Sequence, residues 1–158
     1  MPDKNSRRDF VKTSAVIAGG IMAAPLVPGA NFFSGADDTI KIALIGCGGR
    51  GTGAAMQACL TKQNVKLVAM ADAFRDRIDS CYKSLTADDI SDWSGSKENI
   101  KNRIDVPEER KYVGFDAYKK AMAHADVVIL TTPPGFRPIH FEEAVNQGKQ
   151  IFMEKPVI

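Results

Sequence analysis

The sequence predicts an α/β fold in which a parallel sheet is covered by helices. Apolar runs of strand length alternate with helix-like segments, and the first run leads straight into a cluster of glycines. Strands separated by helices pair in parallel through right-handed crossovers, so this order favours a doubly wound sheet. The length of 158 residues, with no visible internal repeat, is that of one ordinary domain.

Composition excludes several other classes of protein. A hydrophobic share of 44% with 25% charged residues is the usual globular mix and argues against disorder, collagen and coiled coil. The formal net charge of +2 implies no strong field, so we expect no nucleic-acid partner. Three cysteines without a Cys-x-x-Cys pair predict free thiols, and neither a disulfide framework nor a bound metal is expected.

The first half of the predicted domain alternates strand, helix, strand and helix. Residues 40–45 are apolar apart from one lysine and are predicted as a buried strand, and 54–60 continue as an alanine-rich helix. The run 65–71 is predicted as the second strand. In 75–85, apolar residues recur at spacings of three and four, as in an amphipathic helix. The polar stretch 86–106, with a lone tryptophan, is predicted as an excursion outside the core.

The second half is predicted to hold three short strands and two helices. The strands are predicted at 111–113, 127–131 and 150–153, and Thr-Pro-Pro-Gly breaks the second of them. The helices are predicted at 117–124 and 138–147. Asp116 is a candidate cap for the first helix, and Gly148 a natural left-handed stop for the second.

The glycine cluster between the first strand and the first helix carries the first chemical signal. Its glycines have the spacing Gly46-x-Gly48-x-x-Gly51, which suits a tight turn, close backbone approach to a pyrophosphate and close helix packing. Amide groups at the start of the helix would face the phosphates. We therefore predict a Rossmann-like dinucleotide-binding fold, with phosphate contacts from Gly46, Cys47, Gly48, Gly49, Arg50 and Gly51.

Asp72 ends the second strand, 21 residues after Gly51. A carboxylate there can accept hydrogen bonds from both ribose hydroxyls and would repel a 2′-phosphate, which favours NAD as cofactor. NADP stays open, because Arg75 and Arg77 lie close by in the sequence. The alternative is that the glycines form only a turn and Asp72 only caps a helix.

Residues 1–36 precede this domain and are predicted to be a targeting signal. Arg7 and Arg8, followed by aspartate and phenylalanine, resemble the twin-arginine consensus. The uncharged run 15–24 is too short to span a bilayer, which needs ~20 residues. We therefore expect export to the periplasm by the twin-arginine translocase, with 37–158 as the remaining domain. A disordered basic terminus is the alternative.

Four segments in the last third of the chain add a further resemblance. They are Asp126 to Pro134, His140, Gln147 to Lys149 and Phe152 to Pro156. Together with the glycine motif they resemble the glucose-fructose oxidoreductase/inositol dehydrogenase/rhizopine-catabolism family (Gfo/Idh/MocA). In that family the lysine of a Glu-Lys-Pro segment lies beside the nicotinamide and the substrate hydroxyl, and the resemblance implies this catalytic role for Lys155. It also implies cofactor contacts for Thr132, Pro133, His140 and Glu154.

Each of these residues also has a purely structural interpretation. Lys155 would then be a solvated charge at a strand end, Thr132 and Pro133 would only break a strand, and His140 would be a helix-face residue. The resemblance implies a second α/β domain that forms the substrate wall. The sequence ends two residues after Glu-Lys-Pro, so we expect a domain truncated from a longer parent protein.

The resulting hypothesis is the nucleotide-binding domain of an exported NAD-dependent oxidoreductase. The resemblance implies hydride transfer from a sugar, cyclitol or related polyol, with the substrate held through the missing domain. A homo-oligomer of the parent protein is compatible with it. Two alternatives stay open: an NAD-dependent glycoside hydrolase of the same fold, whose members often lack this lysine, and a non-catalytic NAD-binding fragment.

Overall fold

The computed structural model of the chain describes residues 39–88 and 100–155. The predicted targeting signal lies outside these residues, as do the single tryptophan, Trp93, and the proline of the Glu-Lys-Pro segment. Every helix in the described part of the chain is too short or too polar to cross a lipid bilayer.

The described residues form five strands and four α-helices in alternation. The strands are β1 (Ile40–Ile45), β2 (Val65–Asp72), β3 (Lys111–Val113), β4 (Val127–Leu130) and β5 (Gln150–Met153). The helices are α1 (Gly49–Cys59), α2 (Arg75–Leu85), α3 (Ala117–Met122) and α4 (Arg137–Asn146). Short 3-10 turns occur at Lys101–Arg103, Glu108–Arg110 and Pro134–Phe136.

All five strands pair in parallel, in the order β3-β2-β1-β4-β5. The chain therefore winds outward from β1 in one direction through β3, then returns to the other side of β1 and continues to β5. The strand order reverses between β1 and β4, and in such sheets ligands bind at this point, beyond the carboxyl ends of the strands. The predicted doubly wound, Rossmann-like sheet is confirmed.

Helices cover both faces of the sheet and divide the core into two clusters. Buried residues of α1 and α2 pack with Leu44 and Met70 on one face, and buried residues of α3 and α4 pack with Ile45 and Leu130 on the other. Parallel strands buried on both sides are expected to be nearly continuous in apolar residues, and β2 is so from Val65 to its last residue but one, apart from one lysine.

One irregularity interrupts the pairing of β1 with β2. Ile42 pairs with Leu67, whereas the next residue, Ala43, pairs with Ala69. Val68 is thus an extra residue in β2, a β-bulge, and its side chain packs in the same cluster as Ala69.

The end of the segment predicted as an excursion belongs to the core, so that prediction is wrong for residues 100–106. Ile100 and Val106 are buried in the same cluster as α1 and α2. Ile104 forms a bridge with Leu67 of β2. A few apolar residues are enough to anchor this otherwise polar stretch in the core, because the segment lies along β2 before the chain enters β3.

An arginine in this segment also closes the end of α1. Arg103 Nη1 donates to the carbonyl oxygens of Cys59, Thr61 and Gln63 at 3.0, 2.7 and 3.0 Å. The last carbonyls of a helix lack intrahelical donors and carry partial negative charge, so a guanidinium is a favourable partner there.

The other predicted elements are confirmed, with small shifts at their ends. Helix α1 begins within the glycine cluster rather than at Ala54, and α3 ends at Met122 rather than His124. Asp116 occupies the N-cap position of α3, but its side chain makes no capping hydrogen bond. Gly148 has a positive φ of 65°, as expected for the left-handed stop after α4.

Candidate functional site

A cleft of about 660 Å³ opens at the carboxyl ends of the strands, where the strand order reverses. This volume lies within the range of small-molecule sites, ~300 to 1,000 Å³. Predicted site residues that line the cleft are Gly46, Gly48, Gly49, Arg50, Asp72, Thr132, Pro133 and His140. Cys47, Gly51, Glu154 and Lys155 are not among its lining residues.

Two of the glycines are required by close packing between β1, α1 and β4. Gly46 has a φ of 94°, and a Cβ there would meet the Thr132 nitrogen at 2.9 Å. A Cβ at Gly51 would overlap the Gly46 carbonyl oxygen and meet Thr131 Oγ1 at 2.8 Å. Thr131 Oγ1 in turn donates to that same carbonyl at 2.7 Å. Helix α1 therefore approaches the turn as closely as two glycines allow.

The other two glycines of the turn face open space. A Cβ at Gly48 or Gly49 would have no neighbouring heavy atom within 4 Å. The first intrahelical bond of α1 runs from the Thr52 amide to the Gly48 carbonyl at 2.9 Å, so the amides of Gly49, Arg50 and Gly51 precede it. A helix start with open space before it is suited to bind an anionic phosphate group.

Asp72 is joined directly to the glycine turn. Its Oδ2 accepts from the Cys47 amide at 2.6 Å, and its Oδ1 accepts from the Phe74 amide at 3.1 Å. A carboxylate has about four lone-pair sites, so two backbone donors leave acceptor capacity for ribose hydroxyls. The carboxylate thus has a structural task, and binding of the ribose stays a prediction.

Cys47 contributes its backbone rather than its thiol. The residue is only 3% exposed and packs in the core cluster beneath α1. A hydrogen bond with the Cys81 thiol and burial both raise the pKa of Cys47, so it stays a neutral thiol. The three cysteines, Cys47, Cys59 and Cys81, are all free and buried, which confirms the predicted thiols.

Two polar side chains of α4 hold the turn after β4. His140 Nδ1 and Thr132 Oγ1 share a hydrogen bond of 3.1 Å, and Arg137 Nε donates to the Thr132 carbonyl at 3.0 Å. Burial lowers the pKa of His140, because its charged form is poorly solvated there, so the ring is neutral near pH 7. Tyr118 packs against this ring with centroids 4.2 Å apart.

Glu154 and Lys155 follow β5 at the edge of the sheet. The Glu154 carboxylate forms an ion pair with Arg50 from the start of α1. Its carbonyl accepts from Arg137 Nη1. Lys155 is exposed. The glycine turn is therefore joined to the Glu-Lys-Pro segment through one ion pair.

Several aromatic residues in the cleft were not predicted from the sequence. Phe74, Phe115 and Phe136 line it, together with Tyr118 and Arg77. Phe115 and Phe136 stack with centroids 6.1 Å apart and are 71% and 43% exposed. Each phenylalanine comes a few residues after the end of a strand. That position was the one sequence signal that could have placed them in the cleft.

Among the described residues, no group of three His, Cys, Asp or Glu side chains is arranged to hold a metal ion. The features that are present fit a dinucleotide: an open glycine turn, a helix start and a carboxylate at the end of the neighbouring strand.

The profile of the Gfo/Idh/MocA oxidoreductase family, described as having an NAD-binding Rossmann fold, matches residues 40–158. The chain belongs to this family. The match begins at β1 and includes the cleft, so the glycine turn, Asp72 and the Glu-Lys-Pro segment all lie in the NAD-binding domain of an oxidoreductase family. No curated protein matches the sequence significantly.

Solved structures of two Lactobacillus enzymes are similar to this family member. Apo scyllo-inositol dehydrogenase from Lactobacillus casei is 27% identical with a TM-score of 0.50, and the match covers 76% of this chain and 29% of that one. Myo-inositol 2-dehydrogenase from Lactobacillus plantarum is 22% identical with a TM-score of 0.54 over the same shares. The chain thus spans less than a third of the length of these structures.

The scyllo-inositol dehydrogenase from Lactobacillus casei has also been solved with bound NAD(H) and scyllo-inositol. That structure is 24% identical to this chain with a TM-score of 0.51, over 76% of this chain and 29% of that one. At this identity the likeness bears on the fold.

We predict that alanine substitution affects stability differently at the tightly packed Gly51 and at the open Gly49. Gly51→Ala should lower the free energy of unfolding by about 3 kcal/mol, because Cβ would overlap the Gly46 carbonyl. Gly49→Ala, the matched control, should leave it unchanged or raise it by up to about 1 kcal/mol, because its Cβ has open space and alanine favours a helix. Denaturant titration measures both, and equal effects would contradict the packing described here.

Proposed function

We propose that this chain is the NAD-binding domain of an exported dehydrogenase that oxidises a secondary alcohol of a cyclitol, sugar or related polyol. The contact between Asp72 and the glycine turn is the observation that carries the nucleotide part of the proposal. Because the carboxylate lies 2.6 Å from the Cys47 amide, a ribose site and a pyrophosphate site would adjoin each other. The family match supports NAD as the nucleotide.

The places of these residues in the cleft support the roles that we propose for them. The open turn at Gly48 and Gly49 would admit the pyrophosphate against the start of α1. Asp72 would accept from the adenosine ribose and, as an anion, disfavour a 2′-phosphate. Thr132 and Pro133, on the β4 side, would border the nicotinamide half.

Lys155 is proposed to act on the substrate hydroxyl. When bound, NAD supplies the ring that takes up a hydride from the alcohol carbon. The Lys155 ammonium would donate a hydrogen bond to the alcohol oxygen and stabilise negative charge there as the hydroxyl proton leaves to a base. We assign that base to the part of the enzyme that forms the substrate wall.

The substrate class rests on the similar solved structures, which are inositol dehydrogenases. A panel assay of the whole enzyme with NAD tests it against the alternatives. NADH formed from inositols or sugars supports a dehydrogenase. Sugar release from glycosides without net NADH would instead support a hydrolase, and neither product would leave a nucleotide-binding module.

Asp72→Asn is expected to change nucleotide preference. The amide keeps one acceptor oxygen for the Cys47 amide but loses the negative charge, so NAD should bind about tenfold more weakly, ~1.4 kcal/mol, while NADP loses little or gains. Asp76→Asn is the control, because Asp76 lies on the first turn of α2 and does not line the cleft. Calorimetry with both nucleotides decides, and equal losses for NAD and NADP would place Asp72 away from the ribose.

Lys155→Met should reduce turnover of the whole enzyme by ~10² or more, the usual scale for a positioned donor, with NAD affinity within about threefold of wild type. Lys149→Met, before the other end of β5, is the matched control and should leave turnover unchanged. Steady-state kinetics and NAD titration measure the two effects. Near-normal turnover would remove Lys155 from the mechanism.

Export is tested by the double variant Arg7→Lys and Arg8→Lys. It keeps the charge but removes the paired guanidinium groups, so the precursor should remain in the cytoplasm. Lys4→Arg with Lys12→Arg alters the same leader without touching the pair and should be exported normally. Cell fractionation measures both, and normal periplasmic yield of the first variant would refute the twin-arginine route.

A further inference from the structure

We propose that Arg137 is a positioning residue that fixes the nicotinamide side of the cleft. This inference rests on the proposed function, since it assigns that side of the cleft to the nicotinamide. Arg137 does not line the cleft itself. It would act through two backbone carbonyls, those of Thr132 and Glu154, that follow neighbouring strands.

The location of Arg137 is unfavourable for the helix that carries it. It is the first residue of α4, where the helix dipole favours a negative charge over a positive one. It is also only 7% exposed, and in the described part of the chain only His140 joins it as a buried polar or charged residue. Burying a guanidinium is costly unless its donors are used, so the explanation for this arginine lies in its partners.

Those partners lie where the sheet no longer holds the chain. The pairing of β4 with β5 ends at Leu130 and Met153, and the Glu154 amide makes a last bond to the Leu130 carbonyl at 3.2 Å. Beyond this point Arg137 donates from Nε to the Thr132 carbonyl and from Nη1 to the Glu154 carbonyl. The guanidinium thus continues the link between the two strands past the end of their ladder.

The link reaches the functional positions on both strands. On the β4 side it fixes Thr132, whose hydroxyl is also held by His140 and which lines the cleft beside Pro133. On the β5 side it fixes the peptide that leads directly into Lys155. Loss of the link should therefore loosen both positions together, while the glycine turn and Asp72 keep their own contacts.

The geometry of the link requires an arginine rather than any cation. A guanidinium is planar and presents several donors in a fixed fork, whereas a lysine ammonium is a single point on a shorter stem. Lysine would preserve the charge but could not span the two carbonyls in the same way. Arg137→Lys therefore separates a role in positioning from a role of charge alone.

The test compares ligands that do and do not contain nicotinamide, using the whole chain. Arg137→Lys should bind ADP-ribose within twofold of wild type but NADH about tenfold more weakly, with loss of the fluorescence enhancement of the bound dihydronicotinamide. Arg137→Gln should behave in the same way and serves as a second variant if the first folds poorly. Arg110→Lys, an arginine that does not line the cleft, is the control and should change neither affinity.

Each result is decisive. Selective loss of NADH binding with ADP-ribose binding retained supports the positioning role. The positioning role would be overturned if both ligands bound equally more weakly, if neither affinity changed, or if Arg137→Lys bound NADH as tightly as wild type. The proposed function would still stand in each of these cases. If the wild-type chain binds neither ligand, the proposed function fails and this inference fails with it.

Discussion

The close contact between Gly51 and the carbonyl of Gly46 is the constraint on which the rest of the site depends. It brings the start of α1 against the end of β1, while Thr131, which directly follows β4, donates to the same carbonyl. Three elements therefore meet around one oxygen atom. Because no side chain beyond hydrogen fits at Gly51, the helix start is held at the point where β1 and β4 part, and the cleft forms there.

Much of this arrangement could be predicted because its signals are local. The glycine spacing, the apolar run before it and Asp72 at the end of the next run all lie within a short stretch of chain. Because consecutive strands are neighbours in this part of the sheet, their order in the sequence predicts that these residues lie close together. The strands and the stop at Gly148 were predictable for the same reason. Residues 100–106 were not, because Ile100 and Val106 are isolated apolar residues whose burial depends on where β2 and β3 place them.

The network behind the cleft could not be predicted, since it depends on tertiary placement. Arginines are usually exposed, and nothing in the sequence around Arg137 distinguishes it from the exposed arginines of the chain. Its burial follows from the relation of α4 to the ends of β4 and β5. The phenylalanines are a similar case: position beyond the strands suggests the cleft, but only the packed structure shows Phe115 against Phe136.

The bulge at Val68 determines which side of the sheet receives the carboxylate at the end of β2. Before it, Leu67 faces the α1 and α2 cluster, and after it Met70 faces that same side. In a regular strand, alternation would place residues an odd number apart on opposite faces. The extra residue reverses the parity, so Met70 and, two residues later, Asp72 lie on the same face as Leu67, and Asp72 meets the Cys47 amide. A regular strand of the same eight residues, without the bulge, would aim the carboxylate at the opposite layer of helices.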